Sequence, residues 1–445
     1  MNLLIPHGRS ADKYLVKAAQ DMGHRVHLLC NLNESDRAGE VGQCCLPDVW
    51  TRIKSRYELK ISHEEYMAWY YNIMRDYVIE YKIDAILPCS SMDLVVNEVA
   101  KINEEFDLPG IRPEQAAFFG DKTVYLPAME AAGIRVPKTY EIVEPNDEPK
   151  AYERHSYPVI AKPGLGCGGF GIFRAQTKES LEWFFGPSDN PEGFSDRALF
   201  YQDRDVAGEP KSYLHLGYGG RYIVQEYIEG PCISIAGTTV NGNLKLDMAY
   251  DIGITPPPTC AEISFGYPST NRGAIGASQR LVDDLQASPI TFPDGAWMAD
   301  AILKDGELWL VDFAPRMSSS GTKMMYHACG DLSYASNVII ATLKDELWKW
   351  HWGLAGGMRH RVFYSFIPFP KGRITNIKYP EIEDHQLVEV ATPVADDDRL
   401  FEMRNDVQVA DRGWLVAVSD TDSKTNVQEL VESYIAGIRY DVDSG

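Results

Sequence analysis

The sequence predicts an α/β protein of several α+β lobes, with a parallel sheet in its N-terminal part and a small α/β lobe in its C-terminal part. Three observations carry this. Short apolar runs alternate with helical patterns over residues 1–118, a β-rich stretch near Tyr157 delivers a lysine into a glycine-rich turn, and strand-like segments beyond residue 350 lead into a last helical pattern. Alternating β and helical periods are the mark of parallel strands joined by crossover helices.

In the first region, residues 3–6, 26–30 and 85–87 read as strands and residues 12–22 as a helix. The polar loop His7-Gly8-Arg9-Ser10 follows the first strand, where open α/β sheets place ligands. A connecting turn is the plainer reading. A second region opens at Asp121-Lys122 with a helix ending at Gly133. Residues 176–222 then turn polar and glycine-rich, as an inserted surface excursion would. Beyond residue 350, segments 361–367, 385–390 and 414–418 read as strands and 426–438 as a helix. The predicted division is 1–118, 119–228, 229–350 and 351–445, with no internal repeat, heptad or long low-complexity tract.

The 445 residues are 44% hydrophobic and 24% charged, as expected of a folded chain with a substantial core. A formal charge of −21 argues against neutralising nucleic-acid backbones, which needs clustered Lys and Arg. A small-molecule ligand is the expectation. The eight cysteines are scattered, with no C-x-x-C pair, which fits free thiols in a reducing compartment. The opening apolar stretch is too short for a secretory signal, and no run of about 18 apolar residues occurs, so a cytoplasmic protein without a membrane partner is expected.

The sharpest local signal runs from Pro158 to Ile172, where a β-type segment ends in Lys162-Pro163 and continues as Gly164-Leu165-Gly166-Cys167-Gly168-Gly169-Phe170-Gly171. Glycines let backbone amides approach phosphate oxygens, and Lys162 adds a full positive charge. Gly164, Gly166 and Gly169 also satisfy G-x-G-x-x-G, but a dinucleotide loop opens a helix, whereas Ile172-Phe173-Arg174 continues as a strand. No G-K-[ST] occurs there for a P-loop. The plain alternative is a flexible hairpin with an incidental lysine. Next comes Tyr222-Ile223-Val224-Gln225-Glu226-Tyr227-Ile228-Glu229-Gly230, an apolar strand with a polar pair. Apolar walls there suit an adenine ring, with the backbone of an unpaired strand edge reading its amino group.

Asp300 and Asp312 lie on two strand-like runs joined by the turn Lys304-Asp305-Gly306-Glu307, and the Asp-Gly pair is a strong hairpin cue. Folding there brings the two carboxylates together in apolar surroundings, where a lone one is costly. Mg²⁺ resolves that cost, since it takes one or two carboxylates plus nucleotide phosphates. For either acid alone, a capped or salt-bridged carboxylate is the simpler account. Arg316 follows, ahead of the small polar loop Met317-Ser318-Ser319-Ser320, and its planar fork suits phosphoryl or carboxylate oxygens.

In this order the signals resemble the ATP-grasp superfamily over nearly the whole chain, and within it the carboxylate–amine (amino-acid, or dipeptide) ligase branch. Two segments carry the branch likeness: Pro256 to Ser269, similar to its substrate loop, and Val311-Asp312-Phe313-Ala314-Pro315-Arg316, which lacks the asparagine of other branches. The tail from Arg412 to Ser419, with the helix after it, is similar to the small C-terminal lobe of carboxylase and ligase members. The resemblance implies an N-terminal pre-ATP-grasp domain, a lid with the glycine-rich loop, a central metal-binding unit and a C-terminal lobe. It implies ATP and Mg²⁺ as cofactors. Lys122 and Lys162 would meet the phosphates under Gly166, Gly168 and Gly169, Gln225, Glu226 and Ile228 would hold adenine, and Asp300 and Asp312 the metal. Arg316 and Lys162 would be catalytic, and Glu262, Arg316 and Ser319 would meet the substrate. Cys232 stands where relatives carry a ribose-gripping glutamate, aspartates replace glutamates at both metal positions, and Ala314 replaces the asparagine.

The implied activity is ligation in two steps: a carboxylate takes the γ-phosphate of ATP, and an amine displaces phosphate from the acyl phosphate. Small carboxylic acids and amines, amino acids foremost, are the expected partners, and a homodimer is the candidate assembly. Two other functions stand beside it. One is bicarbonate activation, as in the carboxylase branch, and the other a non-catalytic nucleotide-binding sensor.

Overall fold

The computed structural model describes residues 1–6, 11–30, 47–54, 59–61, 63–90, 95–144, 156–165, 172–185, 203–204, 210–211, 221–254, 263–344, 358–367, 372–381, 387–391, 401–403, 414–420 and 426–443. Strands β1 (Asn2–Ile5), β2 (Arg25–Cys30), β3 (Val49–Arg52) and β4 (Ala85–Ile86) form a parallel sheet in the order β3-β2-β1-β4. Helix α1 (Asp12–Asp21) crosses from β1 to β2, and α2 (His63–Tyr81) and α3 (Val96–Glu105) follow. Leu3, Leu4 and Ile5 are all fully buried, as in a parallel strand covered on both faces.

Helices α4 (Pro113–Phe119) and α5 (Lys122–Ala131) lead to the second sheet. Asp121 caps α5, its carboxylate accepting from the Thr123 amide at 2.8 Å, and Gly133, at φ +86°, turns the chain after it. This sheet has the order β5-β8-β6-β7, from β5 (Thr139–Val143), β6 (Val159–Pro163), β7 (Phe173–Ala175) and β8 (Tyr222–Glu226), all antiparallel. Val159, Ala161, Phe173, Tyr222 and Val224 pack on Leu181, Phe184 and Phe185 of α6 (Lys178–Phe185). Alternation leaves Ile160, Lys162, Arg174 and Gln225 on the other face.

The largest sheet has eight strands. They are β9 (Cys232–Val240), β10 (Asn243–Ile254), β11 (Ile263–Pro268), β12 (Gly295–Lys304), β13 (Glu307–Ala314), β14 (His360–Phe366), β16 (Leu387–Ala391) and β18 (Trp414–Asp420), ordered β13-β12-β9-β10-β11-β14-β18-β16. Strands from beyond residue 350 thus extend the central sheet through the pairing of Phe265 with Ser365. β15 (Gly372–Lys378), β17 (Phe401–Met403) and β19 (Arg439–Asp443) form a separate small sheet. One face of the large sheet, with Ile233, Ile235, Trp297 and Phe313, packs on α5 and on α7 (Arg272–Ala287). The opposite face meets α8 (Ser319–Cys329) and α9 (Ser333–Leu343), whose core is continuous with that of the N-terminal sheet. Helix α10 (Val427–Gly437) packs on Phe363, Leu415 and Ala417. Among the described residues no helix is long and apolar enough to cross a membrane.

Candidate functional site

The turn between β12 and β13 places Asp305 and Gly306 at φ +53° and +80°, the pair of positive values that a two-residue hairpin turn requires. The resulting register sets Asp300 directly opposite Asp312 and, on its other side, opposite Ser234 of β9. Three polar side chains therefore stand in one row across three strands. The Ser234 hydroxyl donates to Asp300 Oδ1. Burial raises the Asp300 carboxyl to about 6, nearby Asp312 pushes the same way, and Arg316 and Lys122 oppose.

Asp312 is met from α5. Its Oδ1 accepts from the Tyr125 hydroxyl at 2.6 Å and from the Phe313 amide at 3.0 Å, with Lys122 Nζ at 3.4 Å. Lys122 is delivered by a backbone clasp, its amide donating at 2.7 Å to the carbonyl of Gly164, the first residue of the glycine-rich loop. Lys162 reaches across from β6 to donate to the Val311 carbonyl at 3.1 Å. Burial pulls its ammonium down to about 8; Asp312 opposes that fall and Lys122 adds to it. Cys232, at the start of β9, is buried, and burial pushes its thiol up; the Asp300 charge adds to that rise and Lys162 opposes it. Cys30, Cys89 and Cys329 are buried as well.

Arg316 follows β13 and donates to the Met317 carbonyl at 3.1 Å, beside Met298. Its charge acts on Asp300. Ser318 caps α8, accepting from the Gly321 amide at 3.1 Å, and shares a 2.7 Å hydrogen bond with the buried Tyr250 hydroxyl. Ser319 opens that helix and is part-buried. The Met317 amide donates to the Pro88 carbonyl at 3.1 Å, which ties the end of the parallel sheet to this loop.

The expected adenine segment lies differently from the sequence reading. β8 is paired on both sides, so its backbone is engaged through Glu226, whose amide donates to the Lys138 carbonyl at 2.9 Å. The strand is central because β5 and β6 both offer partners, and the linker leaves the sheet only after it. Gln225 is fully buried, its amide nitrogen donating to the Pro137 carbonyl at 3.1 Å and Thr139 Oγ1 at 3.3 Å. Among the described residues its buried Oε1 has no hydrogen-bond partner. Beyond, Arg174 covers the Tyr227 ring at 3.9 Å, and Ile228 is buried. A Cβ at Gly230 would lie 2.4 Å from the Leu303 carbonyl, so the linker runs close along β12.

Lys122, Lys162, Asp300, Asp312 and Arg316 are thus brought into one electrostatic group, with Ser319 at the helix beside it. Gly166, Gly168, Gly169 and Glu262 lie outside the described residues. Three neighbours escaped the sequence reading. Tyr125 sits one helical turn after Lys122, and Ser234 is on the Asp300 face two residues after Cys232; both spacings were legible. Tyr250 reaches Ser318 only through folding of the large sheet, and no local pattern marks it.

Among the described residues no cluster of three or more His, Cys, Asp or Glu side chains is placed to hold a metal. Two paired carboxylates beside buried lysines nonetheless fit Mg²⁺, which takes one or two carboxylates and leaves its remaining positions to water and phosphate oxygens.

No family model matches the chain. Carbamoyl-phosphate synthase from Methanobrevibacter smithii is 29% identical over 151 residues, which span 33% of this chain and 38% of that protein. Among solved structures, an L-amino acid ligase from Bacillus licheniformis aligns over 100% of this chain and 99% of its own at a TM-score of 0.70 and 16% identity. The biotin carboxylase domain of Hydrogenobacter thermophilus 2-oxoglutarate carboxylase covers 99% of this chain and 90% of its own, at a TM-score of 0.66 and 14% identity. Phosphoribosylglycinamide synthetase from Anaerococcus prevotii covers 99% of each chain, at 0.58 and 17%. Likeness over the whole length, joined to the order of elements around the paired carboxylates, shows that this chain has the ATP-grasp fold.

Proposed function

We propose that this chain is an ATP-dependent carbon–nitrogen ligase, ADP-forming, that joins a small carboxylic acid to an amine, with amino acids as the substrate class. The observation that supports it is the meeting of Lys122, Lys162, Asp300, Asp312 and Arg316 at one end of the β12–β13 hairpin. Lys122 and Lys162 bind phosphate oxygens together with the loop carrying Gly166, Gly168 and Gly169. Gln225, Glu226 and Ile228 hold the adenine. Asp300 and Asp312 hold Mg²⁺, which when bound supplies positive charge to the phosphate oxygens. The substrate carboxylate attacks the γ-phosphorus, forming an acyl phosphate and releasing ADP; the amine then attacks the acyl carbon, phosphate leaves, and an amide remains. Such transfers depend on positioning and electrostatics, which buried lysines supply. Arg316 faces the developing oxyanion, with Ser319 and Glu262 on the substrate side. The same reading assigns 1–118 to a pre-ATP-grasp domain, 119–228 to linker and lid, 229–350 to the central unit and 351–445 to the C-terminal lobe, and takes a homodimer as the assembly.

ADP release tests this directly. ADP is expected from ATP and Mg²⁺ only when a carboxylic acid and an amine are both supplied, and a pool of amino acids, which supply both groups, is expected to give a condensed product in the mass spectrum. ADP release dependent on bicarbonate instead supports a carboxylase-like reaction, which the likeness to the carboxylase domain favours; that structure is described with MgADP and bicarbonate. Tight ATP binding without turnover under every mixture supports a nucleotide sensor.

A further inference from the structure

The carboxylate of Asp312 is held unevenly. Oδ1 accepts from Tyr125 at 2.6 Å and from the Phe313 amide at 3.0 Å, and Lys122 stands 3.4 Å away, whereas no described residue hydrogen-bonds Oδ2. Tyr125 is itself fixed. It is 1% exposed, packs beside Phe118 and Phe119 at ring separations of 6.5 and 6.3 Å, and accepts from the Phe313 amide at 3.1 Å. Since the Phe313 amide can only donate, the single phenolic proton is directed to Asp312.

We infer that Tyr125 is a positioning residue that saturates Oδ1, pins the carboxylate plane and leaves Asp312 one oxygen, Oδ2, to offer a metal ion. This rests on the reading that Asp312 holds the metal of a bound nucleotide. The consequence is ion selectivity. Mg²⁺ demands octahedral geometry at about 2.0–2.1 Å, whereas Ca²⁺ accepts carboxylates through both oxygens at about 2.3–2.6 Å. A carboxylate whose one oxygen already accepts from Tyr125 and from the Phe313 amide is disfavoured from closing on an ion with both. Tyr125 therefore favours the smaller ion by acting through Asp312. Because it follows Lys122 by one turn on α5, one helix sets both the lysine and the direction of the ligand.

Calorimetric titration of ADP into the full chain, with Mg²⁺, with Ca²⁺ or with EDTA, tests the role without relying on turnover. In Tyr125→Phe the Mg²⁺-supported affinity is expected to fall by about 10-fold or more, the usual scale for a group that orients a metal ligand. Ca²⁺-supported affinity holds or rises, and binding in EDTA matches the unaltered chain. The Phe313 amide still donates to Asp312 Oδ1 in that variant, so the ligand-free thermal midpoint is expected to stay close to that of the unaltered chain. Added to Asp312→Asn, the same change has no further effect with either ion. An unchanged Mg²⁺-to-Ca²⁺ ratio, an equal loss in the Asp312→Asn background, or a variant that unfolds each overturns the assignment. A different result separates the underlying reading: if the unaltered chain binds ADP equally with Mg²⁺ and with EDTA, Asp312 is not a metal ligand, and the inference falls with it.

Discussion

Lys162 places an ammonium group in a site that is 4% exposed, with the Val311 carbonyl as hydrogen-bond acceptor and Asp312 as the attracting charge. Burying it costs stability, as its lowered pKa of about 8 records. In the proposed phosphate-binding role, function and folding pull in opposite directions at this residue. Lys162→Met keeps much of the volume and removes the desolvated charge, so the ligand-free chain is expected to melt at the same temperature or higher. Its affinity for MgADP is expected to fall about 10- to 100-fold, corresponding to about 1.5–3 kcal/mol for a hydrogen bond to a charged group. Calorimetry and a melting curve on one sample read both signs. A lower midpoint with unchanged affinity would make Lys162 a structural group.

At the scale of elements, helix α9 is fastened to the large sheet by a buried polar network. Asp247 of β10 accepts from the Thr238 hydroxyl at 2.9 Å and from the Asn337 side-chain amide at 2.8 Å, and burial raises its carboxyl to about 6 from 3.8. A carboxyl whose folded value is raised binds its proton more tightly in the native state. Its contribution to stability is thus full below about pH 4, falls as pH rises towards 6, and stays lost above. Asp247→Asn keeps an oxygen for Asn337 and turns a donor to Thr238. At pH 8 it is expected to be more stable than the unaltered chain by about 1–3 kcal/mol, a shift of roughly two units setting the upper end. The gap in urea midpoints should narrow as pH falls to 5; a constant gap would remove the titration argument. Legibility also differs by element. The β12–β13 hairpin was readable because its Asp-Gly turn and its paired acids are local, and β7 because Phe173-Arg174 follows the glycines in a β period. Helix α9, SYASNVIIATL, lies between two sheets and is apolar nearly all round, so it shows no amphipathic signal. The segment read as a substrate loop contains β11, which pairs with β10 and with β14, a hundred residues on; no local pattern announces that pairing. The adenine segment reads as a strand edge in sequence because alternation cannot tell a central strand from an outer one, and β8 is paired on both sides.

Across the whole molecule, the N-terminal α/β unit is part of the structure that holds the site. One continuous core runs from Leu3, Leu15 and Met74 through Met317, Met324, Tyr334 and Val338, so helices α8 and α9 are buried between the parallel sheet and the large sheet. Tyr14 of α1 lies 4.5 Å from the Tyr326 ring and shares a 3.3 Å hydrogen bond with His327 Nε2, both on α8. Helix α8 begins three residues after Arg316, and the loop between them hangs on the Pro88 carbonyl. Removing the first unit would strip one face from both helices and release that loop, exposing a broad apolar surface. The fragment 119–445 is therefore expected to melt without a cooperative transition, to bind a hydrophobic dye, and to lose Mg²⁺-dependent ADP binding, even though Lys162, Asp300 and Asp312 all remain in it. A fragment that unfolds in one sharp transition near the midpoint of the full chain, with its ADP affinity intact, would show instead that the site is supported from the β9–β13 side alone.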